Sequence, residues 1–241
     1  MNIGIIFAGG TGIRMQSKER PKQFLEMYGK PIIVYTIEHF ERCADIDAII
    51  IACLEEWIPY MEKLIAEYEL GKIVKVVKGG QTVQLSIYNA LIAAKDYSGD
   101  EDSIVVLHDG VRPLINDKLI TANINCVKEN GSAITTSYAP ETVVITDEKN
   151  EIIQVPNRAR AKIARAPQSF WLKDILEAHE KAQAENMIYY IDSCTMMQHY
   201  GYKLTMIEGP HENLKITTPE DFYMMRAILD SKETAQMYGY E

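Results

Sequence analysis

The stretch from Ile3 to Phe24 constrains this chain most. Ile3-Gly4-Ile5-Ile6-Phe7-Ala8 is a short apolar run, the pattern of a strand buried on both faces of a parallel sheet, and it ends in Gly9-Gly10-Thr11-Gly12. Glycines at that point let backbone N–H groups turn inward and approach a ligand with no Cβ in the way. Arg14 adds a forked cation and Lys22 a point charge, which together suit an oxygen-rich polyanion, and Pro21 fixes the backbone just before Lys22. The competing reading is a plain tight turn with both cations solvated. The loop is not a Walker A sequence, because no Gly-Lys-Ser/Thr follows, and the G-x-G-x-x-G dinucleotide fingerprint is not spelled out.

Strand and helix patterns then alternate. Helical spacing runs over Pro31 to Arg42, Trp57 to Tyr68 and Thr82 to Lys95; strands are expected at Ala48–Ala52, Ile73–Val77 and Ile104–Leu107. A further helix is predicted from Asp117 to Asn130 and a strand from Ser132 to Tyr138. This rhythm predicts an α/β fold with a doubly wound, mostly parallel sheet, in which ligands sit beyond the carboxyl ends of the strands. The loops at Gly9, Gly79-Gly80 and His108-Asp109-Gly110 all follow strands, so they are expected to converge on one rim.

The rhythm breaks at 143–155, where Val143–Thr146 and Glu151–Val155 read as two strands around a polar turn. A lone hairpin is marginal and needs the main sheet or a second subunit to pack on. The expectation is an arm over 140–158 that reaches a partner, hence a homodimer. Helices are predicted at Leu172–Glu185, Asp192–Tyr200 and Pro219–Ser231, with a strand at Lys203–Ile207.

A chain of 241 residues, 47% hydrophobic, fits one domain over 1–241 with a sizeable core. Its formal net charge of −9 argues against general nucleic-acid binding, so any anion must be held by local cations. No apolar run is long enough to span a membrane, and the first strand starts almost at Met1 with no room for a targeting peptide, so a cytoplasmic protein is expected. Cys43, Cys53, Cys126 and Cys194 are scattered and read as free thiols in a reducing compartment.

Asp109 ends a strand. Beside a polyphosphate its natural task is to hold Mg²⁺, a hard cation that favours oxygen ligands; a turn or cap role, or pairing with Arg112, competes with that reading. His108 has no orienting partner or nucleophile nearby in sequence and reads as structural. Ser86, in the first turn after Gly79-Gly80, is placed to meet a base or ribose, or to be only a first-turn serine. Lys215 is expected in a short strand before a Thr-x-x-Asp capped helix, facing opposite to Leu214 and Ile216: either a surface lysine or one aimed at the same rim.

Taken together, Ala-Gly-Gly-Thr-Gly-x-Arg-Met, Pro-Lys-Gln-Phe, Gly79-Gly80, His-Asp-Gly-Val-Arg-Pro, Pro-Asn-Arg, Ala-Pro-Gln-Ser-Phe and Asn-Leu-Lys-Ile-Thr-x-Pro-Glu-Asp resemble the polyol-phosphate cytidylyltransferases, whose members act on 2-C-methyl-D-erythritol 4-phosphate or ribitol 5-phosphate. The motifs run in family order from Ile3 to Asp221. The resemblance implies a Rossmann-like nucleotidyltransferase in which a substrate phosphate oxygen attacks the α-phosphorus of CTP, giving a CDP-alcohol and pyrophosphate. It implies that Ala8, Gly9, Gly10, Thr11 and Gly12 line CTP, that Arg14 and Lys22 bind its phosphates, and that Gly80 and Ser86 meet the cytosine. Asp109 and Lys215 would sit near ribose, Mg²⁺ and α-phosphate, with Arg112 beside the substrate pocket. Thr142 and Arg158 would reach across a dimer to the second substrate's phosphate. Such a reaction asks a protein for positioning and positive charge and for no covalent nucleophile. On that basis Lys22→Ala is expected to abolish turnover and preserve the fold, an exposed loop lysine carrying little stability.

Two positions depart from the family pattern. Val83 stands where an Arg is usual, and Ala166, preceded by Arg165, stands where a Thr precedes Pro-Gln; Arg160, Lys162 and Arg165 make this segment unusually basic. Asp192-Ser193-Cys194, with the His-Asp-x-Val-Arg-Pro and Pro-Asn-Arg segments, looks more like the ribitol-phosphate branch, which serves cell-surface polymers, than the methylerythritol-phosphate branch of isoprenoid synthesis. A sugar-1-phosphate nucleotidylyltransferase using another nucleotide, or a nucleotide-binding module without turnover, are the rival readings.

Overall fold

The computed structural model describes residues 1–9, 20–99 and 102–238. Its elements follow the alternation read from the sequence: β1 Asn2–Ala8, α1 Ile32–Arg42, β2 Ala48–Cys53, α2 Ile58–Glu67, β3 Ile73–Lys78, α3 Val83–Ser98, β4 Ile104–Asp109, α4 Asp117–Asn130 and β5 Ser132–Tyr138. Then come β6 Lys162–Trp171, α5 Leu172–Ala184, α6 Ser193–His199, β7 Met206–Glu208 and α7 Pro219–Tyr238. The sheet order is β7-β5-β6-β4-β1-β2-β3, and β6 alone runs against its neighbours β4 and β5.

The period-2 geometry of the strands divides the core into two layers. Ile6 of β1, Ile49 and Ile51 of β2, and Val106 of β4 face α1, α2 and α4; Ile3, Ile5, Ile50 and Val105 face α3, α5 and α6. Both faces are covered, which explains why these strands read as unbroken apolar runs. Helix ends are set locally: Thr82 caps α3 by accepting from Leu85 N–H, Asn116 caps α4 through Leu119 N–H, and left-handed Gly99 and Gly131 close the two helices.

The structure amends the sequence reading in several places; the strand expected at Lys203–Ile207 is confined to Met206–Glu208, and the closing helix runs on to Tyr238. The strand β6 has no counterpart in the sequence pattern; it pairs on β4, but its ladder with β5 is interrupted between Ala164 and Gln168, where Pro167 has no N–H to give. Lys215 lies in no strand. Its segment has no regular secondary structure and is tied by Ile216 N–H to the Val111 carbonyl at 2.9 Å, while Ile216, together with Met225 of α7, joins Val111 in a third apolar cluster. The 143–155 hairpin is shorter than expected, Ile145–Thr146 against Ile152–Gln154, around a turn in which the Asp147 carboxylate accepts from Lys149 and Glu151 N–H.

His179 of α5 is 1% exposed, stacked on Tyr88, with neither ring nitrogen hydrogen-bonded among the described residues. Burial pushes its pKa down to about 3 from an ordinary 6.5. Below pH ~6.5 the unfolded chain therefore takes up a proton that the folded chain refuses, so this contribution to stability is intact above that pH and declines toward pH 3, by about 1.4 kcal/mol per pH unit. His179→Phe is expected to flatten the fall in urea midpoint between pH 7 and pH 5. An equal slope in the variant would contradict this.

Candidate functional site

The parallel register brings the strand ends together: Ala8 lies opposite Cys53, and Phe7 opposite Asp109. The Gly79 N–H bonds the Cys53 carbonyl at 2.7 Å, and the Gly110 N–H bonds the Phe7 carbonyl at 3.1 Å. The loops after β1, β3 and β4 thus meet at one rim, as expected for the residues described. Gly10, Thr11, Gly12 and Arg14 lie outside the described residues.

Two clefts open at this rim. The first, about 300 Å³, is lined by Ala8, Gly9, Lys22, Gly80, Ser86 and Asp109 among others, with Lys215 at its edge. The second, about 130 Å³, is lined by Asp109, Arg112, Arg165, Ala166, Gln168 and Lys215 together with apolar neighbours. Phe7, Val83, Asp109 and Lys215 belong to both, so the clefts adjoin across the Asp109–Lys215 pair.

Asp109 is the electrostatic centre. Its Oδ1 accepts from Lys215 Nζ at 2.5 Å and its Oδ2 from Arg112 Nε at 2.8 Å. Burial opposes its ionisation, but the Lys215 ammonium and Arg112 guanidinium outweigh that and hold the carboxyl well below the usual carboxylate range. The pairing with Arg112 weighed against a metal role is therefore present. His108, fully buried, holds the Arg112 carbonyl within 3.2 Å of its Nε2, and burial pushes its pKa down to about 3. It stays neutral and braces the turn, in line with a structural histidine.

Lys22 departs from its expected setting. It begins the short 3-10 turn Lys22–Phe24, is 9% exposed, and its Nζ donates to the Ile216 carbonyl at 3.0 Å. It is not an exposed loop lysine, and the premise that its removal leaves stability untouched is corrected. Gln23 beside it donates to the Ala8 carbonyl at 2.6 Å, fastening this turn to the end of β1.

Ser86 is almost wholly buried. Its Oγ donates to the Thr82 carbonyl at 2.9 Å and accepts from the Gly80 N–H at 3.0 Å. A Cβ on Gly80 would fall 2.4 Å from Leu85 Cβ, so glycine is required for this close turn. The hydroxyl thus braces the glycine turn that lines the cleft. Thr142 and Arg158 are exposed and line neither cleft of their own chain; Arg158 Nη2 donates to the Pro140 carbonyl at 2.5 Å at the base of the arm.

Residues that the sequence reading left without a role complete the second cleft. Buried Asn213 donates from Nδ2 to the Ala166 carbonyl at 2.7 Å, tying the interrupted part of β6 to the Lys215 segment. Gln168 bridges β6 to α6 through the Asp192 carboxylate at 3.1 Å and the Cys194 N–H at 2.8 Å. The Ala-Pro-Gln and Asn-Leu-Lys motifs contain both residues; their partners lie at separations of 24 and 47 residues, which motif reading does not cover.

A doubly wound sheet whose strand ends gather glycine turns, lysines and a cation-clamped carboxylate around two adjoining clefts defines a nucleotide-handling transferase of the Rossmann-like class. The chain belongs to the cytidylyltransferase family: the model described as IspD, 2-C-methyl-D-erythritol 4-phosphate cytidylyltransferase, matches residues 3–231. It is 51% identical over 239 residues, 99% of this chain and all of the relative, to the ribitol-5-phosphate cytidylyltransferase of Streptococcus agalactiae serotype III (strain NEM316). It is 35% identical over 229 residues, 95% of this chain and 97% of the relative, to a 2-C-methyl-D-erythritol 4-phosphate cytidylyltransferase of Clostridium botulinum (strain Langeland / NCTC 10281 / Type F). The crystal structure of 4-diphosphocytidyl-2C-methyl-D-erythritol synthase from Anaerococcus prevotii DSM 20548 superposes with a TM-score of 0.82 at 29% identity, covering 95% of this chain and 96% of that one. The protein is thus a nucleotidyltransferase of the cytidylyltransferase kind. No helix among the described residues is long and apolar enough to cross a membrane.

Proposed function

We propose that this enzyme transfers a cytidylyl group from CTP to ribitol 5-phosphate or a close polyol phosphate, releasing pyrophosphate. The observation that carries the reading is the pair of adjoining clefts sharing Asp109 and Lys215. A nucleotide in the first cleft and an alcohol phosphate in the second would meet at that pair. A phosphate oxygen of the acceptor bonds to the α-phosphorus of CTP as the bond to the bridging β-phosphate oxygen breaks, and pyrophosphate leaves. Lys22 and Lys215 supply positive charge where negative charge builds, and the geometry requires no protein nucleophile. Ala8, Gly9 and Gly80 line the nucleotide, with Ser86 holding the Gly80 turn, and Arg112 faces the acceptor. Gly10, Thr11, Gly12 and Arg14 would extend the phosphate cradle.

One carboxylate could serve Mg²⁺ here, Asp109, and because its oxygens already accept from Lys215 and Arg112 the ion would share or displace those contacts. Asp109 is the one acidic side chain lining the first cleft among the described residues, and Mg²⁺ is usually held by one or two carboxylates together with substrate phosphates. Bound there, the ion would neutralise phosphate charge. We take the chain to act as a single domain over 1–241, cytoplasmic, without nucleic-acid or membrane partners.

We also propose a homodimer through the 140–158 arm, with Thr142 and Arg158 serving the partner's acceptor phosphate. Ile152, Ile153 and Val155 are 61%, 64% and 58% exposed on a hairpin whose strands, among the described residues, pair with each other alone, an apolar surface that a second copy would cover. The double variant Ile152→Glu/Ile153→Glu is expected to turn a dimer into a monomer in light scattering and to lower turnover about tenfold or more. A wild-type monomer would overturn this arrangement.

The full sequence similarity to the streptococcal protein supports ribitol 5-phosphate, and the family model's own description makes methylerythritol 4-phosphate the second candidate. Pyrophosphate release with CTP and Mg²⁺ on each, against glycerol 3-phosphate, tests the reading. Replacing CTP by UTP, GTP or ATP tests the nucleotide. Release with a sugar 1-phosphate and another nucleotide, or CTP binding without release on any phosphate, would replace it.

A further inference from the structure

The second cleft holds more positive charge than its acids neutralise. Arg112, Arg165 and Lys215 line it, against Asp109 and Asp192. Asp109 is already shared between Lys215 and Arg112, and the Asp192 carboxylate is engaged by Thr195, as the cap of α6, and by Gln168. Arg165 is half-buried and forms no ion pair among the described residues; its Nη1 reaches only the carbonyls of His211 and Asn213, both at 3.1 Å. Arg112 Nη1 donates to the same Asn213 carbonyl at 3.0 Å. Two guanidinium groups therefore converge on one neutral oxygen, where burial and the neighbouring Arg112 both disfavour the charge on Arg165. An anion bridging the two would relieve that repulsion. The interruption of β6 at Ala164–Gln168 turns Arg165 toward the cleft, and Ala166 beside it has no hydroxyl to compete for the anion.

We infer that Arg165 and Arg112 form a clamp for the phosphomonoester of the acceptor, making Arg165 a substrate-binding residue that distinguishes doubly charged alcohol phosphates from neutral polyols. This rests on the proposed cytidylyl transfer in naming the phosphate as the acceptor's. Forked donors match phosphate oxygens, and a charge-assisted contact of this kind is worth roughly tenfold or more in affinity.

The test uses the full-length protein, wild type, R165Q and R165K, with urea midpoints to verify folding. Inorganic phosphate is titrated calorimetrically with and without saturating CTP and Mg²⁺, and steady-state kinetics are measured on ribitol 5-phosphate. R165Q is expected to bind phosphate at least ~10-fold more weakly and to raise KM for the acceptor by a similar factor, with kcat and KM for CTP within about twofold, and R165K to recover part of the loss. Unchanged phosphate affinity in R165Q, or a matching rise in KM for CTP, overturns the clamp. Wild-type protein that turns over no polyol phosphate, yet loses phosphate affinity on R165Q, would sink the cytidylyl-transfer reading and keep the anion site.

Discussion

Asp109→Ala should reduce pyrophosphate release by roughly 10²–10³-fold or more and lower stability by about 3 kcal/mol. The carboxylate binds Lys215 and Arg112 simultaneously while only 10% exposed, so its loss leaves two cations facing each other without their shared counter-charge. Breaking a buried pair in this way costs about 3–5 kcal/mol, and the 40% exposure of Lys215 places this case at the lower end because water screens the orphaned ammonium. Asp109→Asn keeps the shape and removes the charge, so a comparable loss of activity in Asn would assign the effect to charge. The sign with pH follows from the lowered carboxyl pKa: the stabilisation is present above the ordinary carboxylate value and is lost as pH falls through the folded value. The gap in urea midpoint between wild type and Asp109→Asn should therefore narrow on acidification. A gap that widens would contradict the clamp.

Lys22→Met is expected to cut turnover by about 10²–10³-fold, with a stability loss of about 1–3 kcal/mol. Both effects arise from one geometry. The ammonium lines the first cleft, where it can face nucleotide phosphates, and it also donates to the Ile216 carbonyl in the segment that carries Lys215. Removing it leaves that carbonyl short of a donor and loosens the link between the two lysine-bearing segments. Methionine keeps most of the side-chain volume, so a lost midpoint in denaturant reports the hydrogen bond and charge more than a cavity. Turnover within a few-fold of wild type would exclude Lys22 from the chemistry.

Much of this fold is legible because the strands are covered on both faces. Ile3–Ala8, Ala48–Cys53 and Ile104–Leu107 must be apolar throughout, and helices such as Asp117–Asn130 carry both a polar cap and a terminal glycine. β6 escaped because it has neither signal. Its first half mixes two half-buried cations, Lys162 and Arg165, with exposed Ile163 and Ala164, Pro167 breaks its ladder with β5, and its pairing partners lie far away in the chain. Propensity is weak evidence for such a strand, since neighbouring strands supply its stability.

The site divides along the same line. The residue types at Gly9, Lys22, Gly79-Gly80, Asp109 and Lys215, and the strand ends they follow, were set by the sequence, because a parallel sheet sends its loops to one rim. The burial of Lys22 under Ile216, the sharing of Asp109 between Arg112 and Lys215, and the meeting of Arg112 and Arg165 at Asn213 were decided only by tertiary packing. Those contacts join positions separated by 48–194 residues or fix which of several nearby charges a carboxylate selects. Local pattern states what a residue can do; distance, desolvation and competition among partners determine what it does.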